Sequence, residues 1–394
     1  MVIPVAQECI RRGLAEVEVL ALTSAAATAR AAGLKVRQFR DFVSCDDAPA
    51  LLCGEELART MEPGGSVEPE ETRAYLGLSF AEMVSDVGEE EAWRRYRAYG
   101  RHQFFPVRTM ERILVQVEPS LVVITNSPRA ERAAGVAARR LGVPALCINS
   151  MFAIDEIAWL RESGFCNRLC VLNEEVRRRF IDAGRRAEEV VVTGNPSFDA
   201  LVQPRFRATG ESLRMQFPSG TREIVLWASQ PEYRSHPTAP GLVGDPLLPA
   251  YILKEMLRWA DAAPGRHLII RPHPNESIDD PGRANATLLT TRDCDIAVAL
   301  NACDVVATMT STVALQAHAL GLPVVQVRGS IFDHSMPLAA MGIAAECRVS
   351  EVLPTLESVF ARRSQAQVGD RIGLGGATAA VADQISALLA PGVS

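Results

Sequence analysis

The chain has 394 residues, 48% hydrophobic, 22% charged and 6% aromatic, with 41 basic and 47 acidic residues and a formal net charge of −6. That length suits two or three domains with ample material for buried cores, and the apolar content excludes a mostly disordered chain. A mildly acidic balance gives no electrostatic reason to bind nucleic acid or an anionic membrane surface. Only Lys35 and Lys254 are lysines, so arginine supplies the other positive charges, as compositional bias does.

No stretch of about 20 residues is apolar enough to span a bilayer. The start, MVIPVAQECIRRG, lacks the basic, apolar and small-residue regions of a signal peptide. Nine cysteines, an odd number, are scattered without CxxC pairs, which reads as reduced thiols in a cytoplasmic protein.

Short β-branched runs alternate with helix-period segments, the signature of a parallel sheet covered by helices. Residues 4–12 predict a helix opened by Pro4, 16–22 (EVEVLAL) a strand, and 24–32 a helix. A doubly wound domain usually opens on a central strand and a Gly-containing turn. Here that strand is short or missing, so either the start is truncated or the first sheet is built differently. Residues 44–100 are less regular, with a turn at Pro63-Gly64-Gly65 and acidic helical patches at 89–91. Strands follow at 120–125, 145–149, 169–172 and 190–193, with helices at 129–141 and 174–183. Residues 201–223, with Pro204, Gly210, Pro218 and Gly220 and few apolar positions, read as a linker. The alternation restarts with strands at 224–228, 267–271, 286–290, 304–307 and 323–327. Helices are expected at 249–262, 296–303, 312–320 and 349–361, and a last one at 378–389 after a Gly-rich break at 373–376.

The strongest local signal is Thr310-Ser311-Thr312, between a buried strand and a helix. Hydroxyls beside free N–H groups at the positive end of a helix make an anion site; plain N-capping is the simpler alternative. The second is Arg271-Pro272-His273-Pro274-Asn275-Glu276 at the carboxyl end of a strand, where ligands gather in open α/β sheets. The prolines stiffen this loop around His273, which can donate to a phosphate; a histidine bonded within a rigid turn is the other reading. A third polar loop, 229–236, carries Gln230. Before the linker, Val192-Thr193-Gly194-Asn195-Pro196 reads equally as a ligand loop or a turn. In the first half, Asp155 and Glu156 follow a strand and are candidate bases. His102 lies among aromatics in YRAYGRHQFF, where packing is the competing role. GxGxxG, GxxxxGK[ST], HExxH and Cys/His metal spacings are missing from the sequence, so nothing in it calls for a metal or a cofactor.

In this order the motifs resemble the GT-B glycosyltransferase superfamily, in the branch of UDP-N-acetylglucosamine 2-epimerase and the capsule and teichoic-acid transferases. The resemblance spans roughly residues 1–365. It rests on RGLAEVEVLAL, EPSLVVITN…AARRLGVPALCI, VLNEEVRRRFIDAG…VVVTGNPSFDAL, IIRPHPNE and ACDVVATMTSTVALQAHALGLPVV. It implies an α/β fold of two Rossmann-like domains facing across a cleft. Residues 1–205 would form the acceptor side and 206–375 the nucleotide-sugar side, with a helix in 376–394 that would cross back to the first domain.

By the same resemblance, Thr310, Ser311 and Thr312 hold a diphosphate, and His273 lies near the phosphates or base. Gln316 stands where relatives carry a ribose-gripping Glu. Arg271, Glu276, Gln230 and Asn195 complete the expected binding set, and Asp155, Glu156 or His102, in that order, would deprotonate the acceptor. The expected activity is transfer of a sugar, from a UDP sugar first among donors, to an acceptor that the sequence does not name. A homodimer stays open. A 2-epimerase is the first alternative, although its acidic stretches are replaced here by Thr125-Asn126-Ser127 and Asn149-Ser150-Met151. A non-catalytic binding protein on the same fold is the second.

Overall fold

A computed structural model describes residues 1–22, 25–60, 68–236, 241–363 and 375–390. The chain divides into two compact units, residues 1–197 with 376–394, and residues 198–375. Pro63-Gly64-Gly65, Ser24 and the first half of the 373–376 break lie outside the described residues.

Unit 1 begins with the helix Val2–Arg11, two residues earlier than Pro4 suggests. Strands β1 (Glu18–Leu20) and β2 (Lys35–Arg37) pair in parallel as a separate two-stranded sheet. The main sheet holds β3 (Val122–Thr125), β4 (Ala145–Ile148), β5 (Arg168–Val171) and β6 (Val190–Val192), parallel and in sequence order. The first sheet is thus built differently from the expected single sheet. Leu146, Ile148 and Cys170 pack against Val5 and Cys9 of the first helix and Val381 and Ile385 of the last, Ala377–Leu389. An Arg12–Asp383 ion pair at 2.6 Å ties the two helices together.

Between β2 and β3 stands a helical insert that the sequence pattern did not resolve: Ala48–Arg59, Pro69–Val87, Glu89–Tyr99 and Val107–Val117. Residues 74–80 are all buried, so the second of these helices has no polar face and no amphipathic period to read. It meets Ala48–Arg59 where Gly54 faces Gly77, backbone against backbone.

Unit 2 has one six-stranded parallel sheet, built from β7 (Glu223–Ala228), β8 (Arg266–Arg271), β9 (Ala286–Leu288), β10 (Val305–Thr308), β11 (Val324–Val327) and β12 (Ala345–Cys347). Their order is β12-β11-β10-β7-β8-β9. Trp227, Ile252, Met256, Trp259, Leu268, Ile270, Val305 and Val325 fill one face of it. The helix expected at 349–361 is a 3-10 turn, Val349–Glu351, followed by an α-helix, Val352–Arg363.

The linker reading of 201–223 is corrected by the helix Pro204–Arg214. Pro204 occupies the first helical turn, where a missing N–H costs nothing. Gly210 is a packing residue: a Cβ there would lie 2.6 Å from Asn301 Cβ and 3.0 Å from the Val298 carbonyl oxygen. The helix docks through that gap and through Arg214, so it needs little apolar sequence.

His267 on β8 is 1% exposed, stacks on Phe217 at 4.1 Å and bonds Thr287 Oγ1 through Nε2 at 2.9 Å. Burial pushes its pKa down to about 4. Below pH ~6.5 the unfolded chain therefore takes up a proton that the folded chain refuses. Stability held above that pH is lost as the pH falls toward 4, by roughly 3 kcal/mol. Urea unfolding of wild type and His267→Gln across pH 4–7 tests this: the variant should show a shallower acid slope. Equal slopes would refute it.

Candidate functional site

In unit 2 the chain runs from β7 outward through β8 and β9 on one side, then returns to β10 on the other. The gap between β7 and β10 is a topological switch point, the place where open α/β sheets bind ligands. There the Gln230 Oε1 atom accepts the Thr310 N–H at 3.0 Å, and its Nε2 donates to Thr310 Oγ1 at 2.6 Å. Next to it, Ser229 Oγ donates to Glu276 Oε1 at 2.9 Å, and Glu276 Oε2 accepts the His273 N–H at 3.2 Å. Three strand-end loops thus join in one unbroken set from Thr310 to His273.

His273 is exposed, and its Nδ1 accepts the Asn275 N–H at 3.1 Å. That bond assigns the neutral ring its proton on Nε2, free to donate outward. Ser311 Oγ accepts the Val313 N–H at 3.2 Å, as an N-cap hydroxyl does. The N–H groups of Ser311 and Thr312 and the Thr312 hydroxyl have no partner among the described residues. The capping and anion readings therefore divide between residues: Ser311 Oγ caps, and its neighbours stay open. Gln316, half-buried one turn into the helix Val313–Ala319, has an amide without a partner among the described residues.

Arg271 faces elsewhere. It is buried, and its guanidinium donates to the carbonyls of Thr290 at 2.5 Å and Leu289 at 3.3 Å. Its role in this arrangement is to hold the chain after β9.

Sequence reasoning missed how far the loop after β7 reaches. Glu232, 5% exposed, accepts from Ser330 Oγ at 2.7 Å and from the Ile331 N–H at 2.8 Å. It thereby fastens this loop to the one after β11, past β10. Gly244 makes room for the return: a Cβ would lie 2.2 Å from the Tyr233 carbonyl oxygen. A ring cluster of Tyr233, His236, Phe332 and His334 results, with neighbouring centroids 5.0–6.2 Å apart. A glutamate inside an otherwise ligand-like loop was the only local hint.

In unit 1 the carboxyl ends of β3 and β4 carry neutral side chains. Ser150 Oγ donates to Asn126 Oδ1 at 3.3 Å, and the wholly buried Asn149 donates from Nδ2 to the Met151 carbonyl at 2.9 Å. Asp155 is exposed. Glu156 is buried, accepts the Ile154 N–H at 3.2 Å, and has its pKa raised by burial. Asn195 is buried too, with Oδ1 accepting the Ser197 N–H at 2.9 Å, the geometry of an Asx turn. His102 sits on the turn Gly100–Gln103, its pKa lowered first by burial and then by Arg129 and Arg101.

Among the described residues no group of three His, Cys, Asp or Glu is placed to hold a metal ion, and no helix is long and apolar enough to cross a membrane. No disulfide joins any of the nine cysteines among the described residues.

The fold is that of the GT-B proteins, mixed α/β with parallel Rossmann-like sheets. A UDP-GlcNAc 2-epimerase from Neisseria meningitidis bound to UDP-GlcNAc superposes with a TM-score of 0.59 at 14% identity, over 97% of this chain and 95% of that one. The glycotransferase of kitacinnamycin gives 0.56 at 14% identity, over 98% and 95%. The S. aureus MnaA–UDP structure gives 0.51 at 15% identity, over 72% and 78%. No protein-family model and no curated protein sequence matches the chain.

Proposed function

We propose that the protein is a glycosyltransferase that takes its sugar from a nucleotide-sugar donor, a UDP sugar first, held by unit 2. The observation that carries this reading is the hydrogen-bonded set at the switch point, which leaves unpaired donors beside it. Charge grows on the leaving diphosphate as the glycosidic bond breaks, and preorganised donors stabilise it at little reorganisation cost. The Ser311 and Thr312 N–H groups, the Thr312 hydroxyl and His273 Nε2–H are such donors. Gln316 can both donate to and accept from ribose hydroxyls.

In unit 1 the lowered pKa keeps the His102 imidazole neutral near pH 7, able to take the acceptor's proton. Asp155 and Glu156 are the carboxylates for the same task; burial and the Ile154 N–H leave Glu156 the less accessible of the two. Nine cysteines with no disulfide among the described residues suit a reducing, cytoplasmic setting.

UDP at 100 times its Kd should raise the unfolding free energy by about 2.7 kcal/mol. His273→Ala and Thr312→Ala should each weaken UDP binding about tenfold, the loss of one charge-assisted bond. No thermal response to UDP, CMP or their sugars would sink the donor reading. A 2-epimerase removes the C2 proton, and the neutral Asn126–Ser150 pair offers no base for that. UDP-GlcNAc incubated in heavy water should therefore gain no deuterium at C2; exchange there would transfer the assignment to an epimerase.

A further inference from the structure

A second charge feature lies in unit 1. We propose that Arg101, Arg129 and Arg132, beside His102, seat an oxyanion, the phosphate or carboxylate of the molecule that receives the sugar. The acceptor part of this statement rests on the transferase reading; the oxyanion part stands on the side chains alone.

Arg129 precedes, and Arg132 lies in, the first turn of the helix Ala130–Leu141, immediately after β3. Arg101 and His102 lie on the turn Gly100–Gln103, and Phe105 follows it. The two segments meet where the Arg132 guanidinium lies 4.7 Å above the Phe105 ring. Arg101 and Arg129 both lie within electrostatic reach of His102 and of the Tyr75 hydroxyl. Behind it stand Tyr75, edge-on to Phe104 at 5.9 Å, and Tyr96, stacked on Phe104 at 5.7 Å.

Among the described residues, none of Arg101, Arg129 and Arg132 has an ion-pair or hydrogen-bond partner for its guanidinium, yet all three are half-buried. That is not how arginine behaves elsewhere on the same helix. Arg139 pairs with Glu162 at 2.7 Å, and Arg140 with Glu111 at 2.9 Å. The carboxylates near the open set are already engaged. Glu131 accepts the Thr125 N–H, and Glu162 serves Arg139. Partly desolvated guanidinium groups without a counter-charge are costly, and a fixed fork of N–H donors matches the two oxygens of a carboxylate or phosphate. The exposed Phe105 ring and this charge together suit an acceptor with an apolar body and one acidic group.

Calorimetry with unit 2 saturated by UDP tests the seat. The probes are glycerol 3-phosphate and glucuronate, with glycerol and glucose as neutral counterparts. At least one acidic probe should bind where its neutral counterpart does not, and the stronger one identifies the acidic group. The double variant Arg101→Gln/Arg129→Gln should weaken that binding tenfold or more, while Arg101→Lys/Arg129→Lys keeps part of it. The glutamine variant's UDP affinity should match wild type, and its unfolding midpoint should not fall below it. Equal binding by wild type and the glutamine variant, or no binding of either acidic probe, overturns the proposal. Should UDP fail to bind while the arginine-dependent oxyanion binding persists, the donor reading falls and the oxyanion seat stands.

Discussion

Gly77→Ala is expected to cost unit 1 about 3 kcal/mol or more, lowering its unfolding midpoint by roughly 6–12 °C. A Cβ at position 77 would lie 2.2 Å from the Ala50 carbonyl oxygen and 2.8 Å from its carbon. The reciprocal atom at Gly54 would lie 2.1 Å from the Arg73 carbonyl oxygen. Both obstacles are backbone, so no rotamer change relieves them, and the helices Ala48–Arg59 and Pro69–Val87 must move apart. Separation opens the packing around Leu57, Leu76 and Phe80, each at most 1% exposed. The same helices support the aromatic wall behind Arg101, so oxyanion binding should weaken with stability. Circular dichroism during thermal unfolding measures the effect, and a midpoint shift under 2 °C would contradict it. Because the two glycines face each other, Gly54→Ala/Gly77→Ala should cost less than the sum of the single changes.

Asp304→Ala is the second large effect, expected at about 2–4 kcal/mol in unit 2. The Asp304 side chain is 3% exposed and accepts from Arg214 Nη1 at 2.7 Å and Nη2 at 3.0 Å. It also accepts the Ile224 N–H at 2.9 Å, at the start of β7. Truncation strands that N–H in the core and leaves Arg214 without its carboxylate. Arg214 is a third exposed, so water recovers part of the loss, which is why the upper end of the range for a broken buried pair is not reached. Asp304→Asn retains one acceptor and should cost about half as much. Hydrogen exchange should show the helix Pro204–Arg214 loosening first, since Arg214 is its polar anchor. A urea midpoint equal to wild type would show that the pair adds nothing.

These positions also show where local reading stops. Asp304 was assigned to a strand start without a partner, because the partner lies 90 residues away in a segment read as linker. Gly210 looked like a chain breaker and is instead a point of close helix approach. The helix Pro69–Val87 is buried all round through residues 74–80 and offers no period to detect there. In each case a tertiary contact overrides the composition of the segment. By contrast, β7, β8, β10 and β11 are buried on both faces, so they are legible within one residue of their ends, whereas β12, with two of its three residues exposed, carries no such signal.

At the site the division is similar. Polar residues placed just after buried strands marked His273, Glu276, Gln230 and Thr310 as candidates, because parallel strands expose only their ends to ligands. Spacing along the chain could not say that Arg271 turns toward Thr290 and away from the open donors.

What the sequence determined by itself is the alternation of strand and helix, the α/β class, and the loops that carry polar groups. Those follow from periods of two and 3.6 residues, which are properties of neighbours along the chain. What only the tertiary structure decided is strand order, and with it which loops meet. Gln230 reaches Thr310 because β10 lies beside β7, and Arg132 covers Phe105 because a helical insert returns to the end of β3. Such contacts depend on long-range packing and on unpaired charge, and no local pattern encodes either.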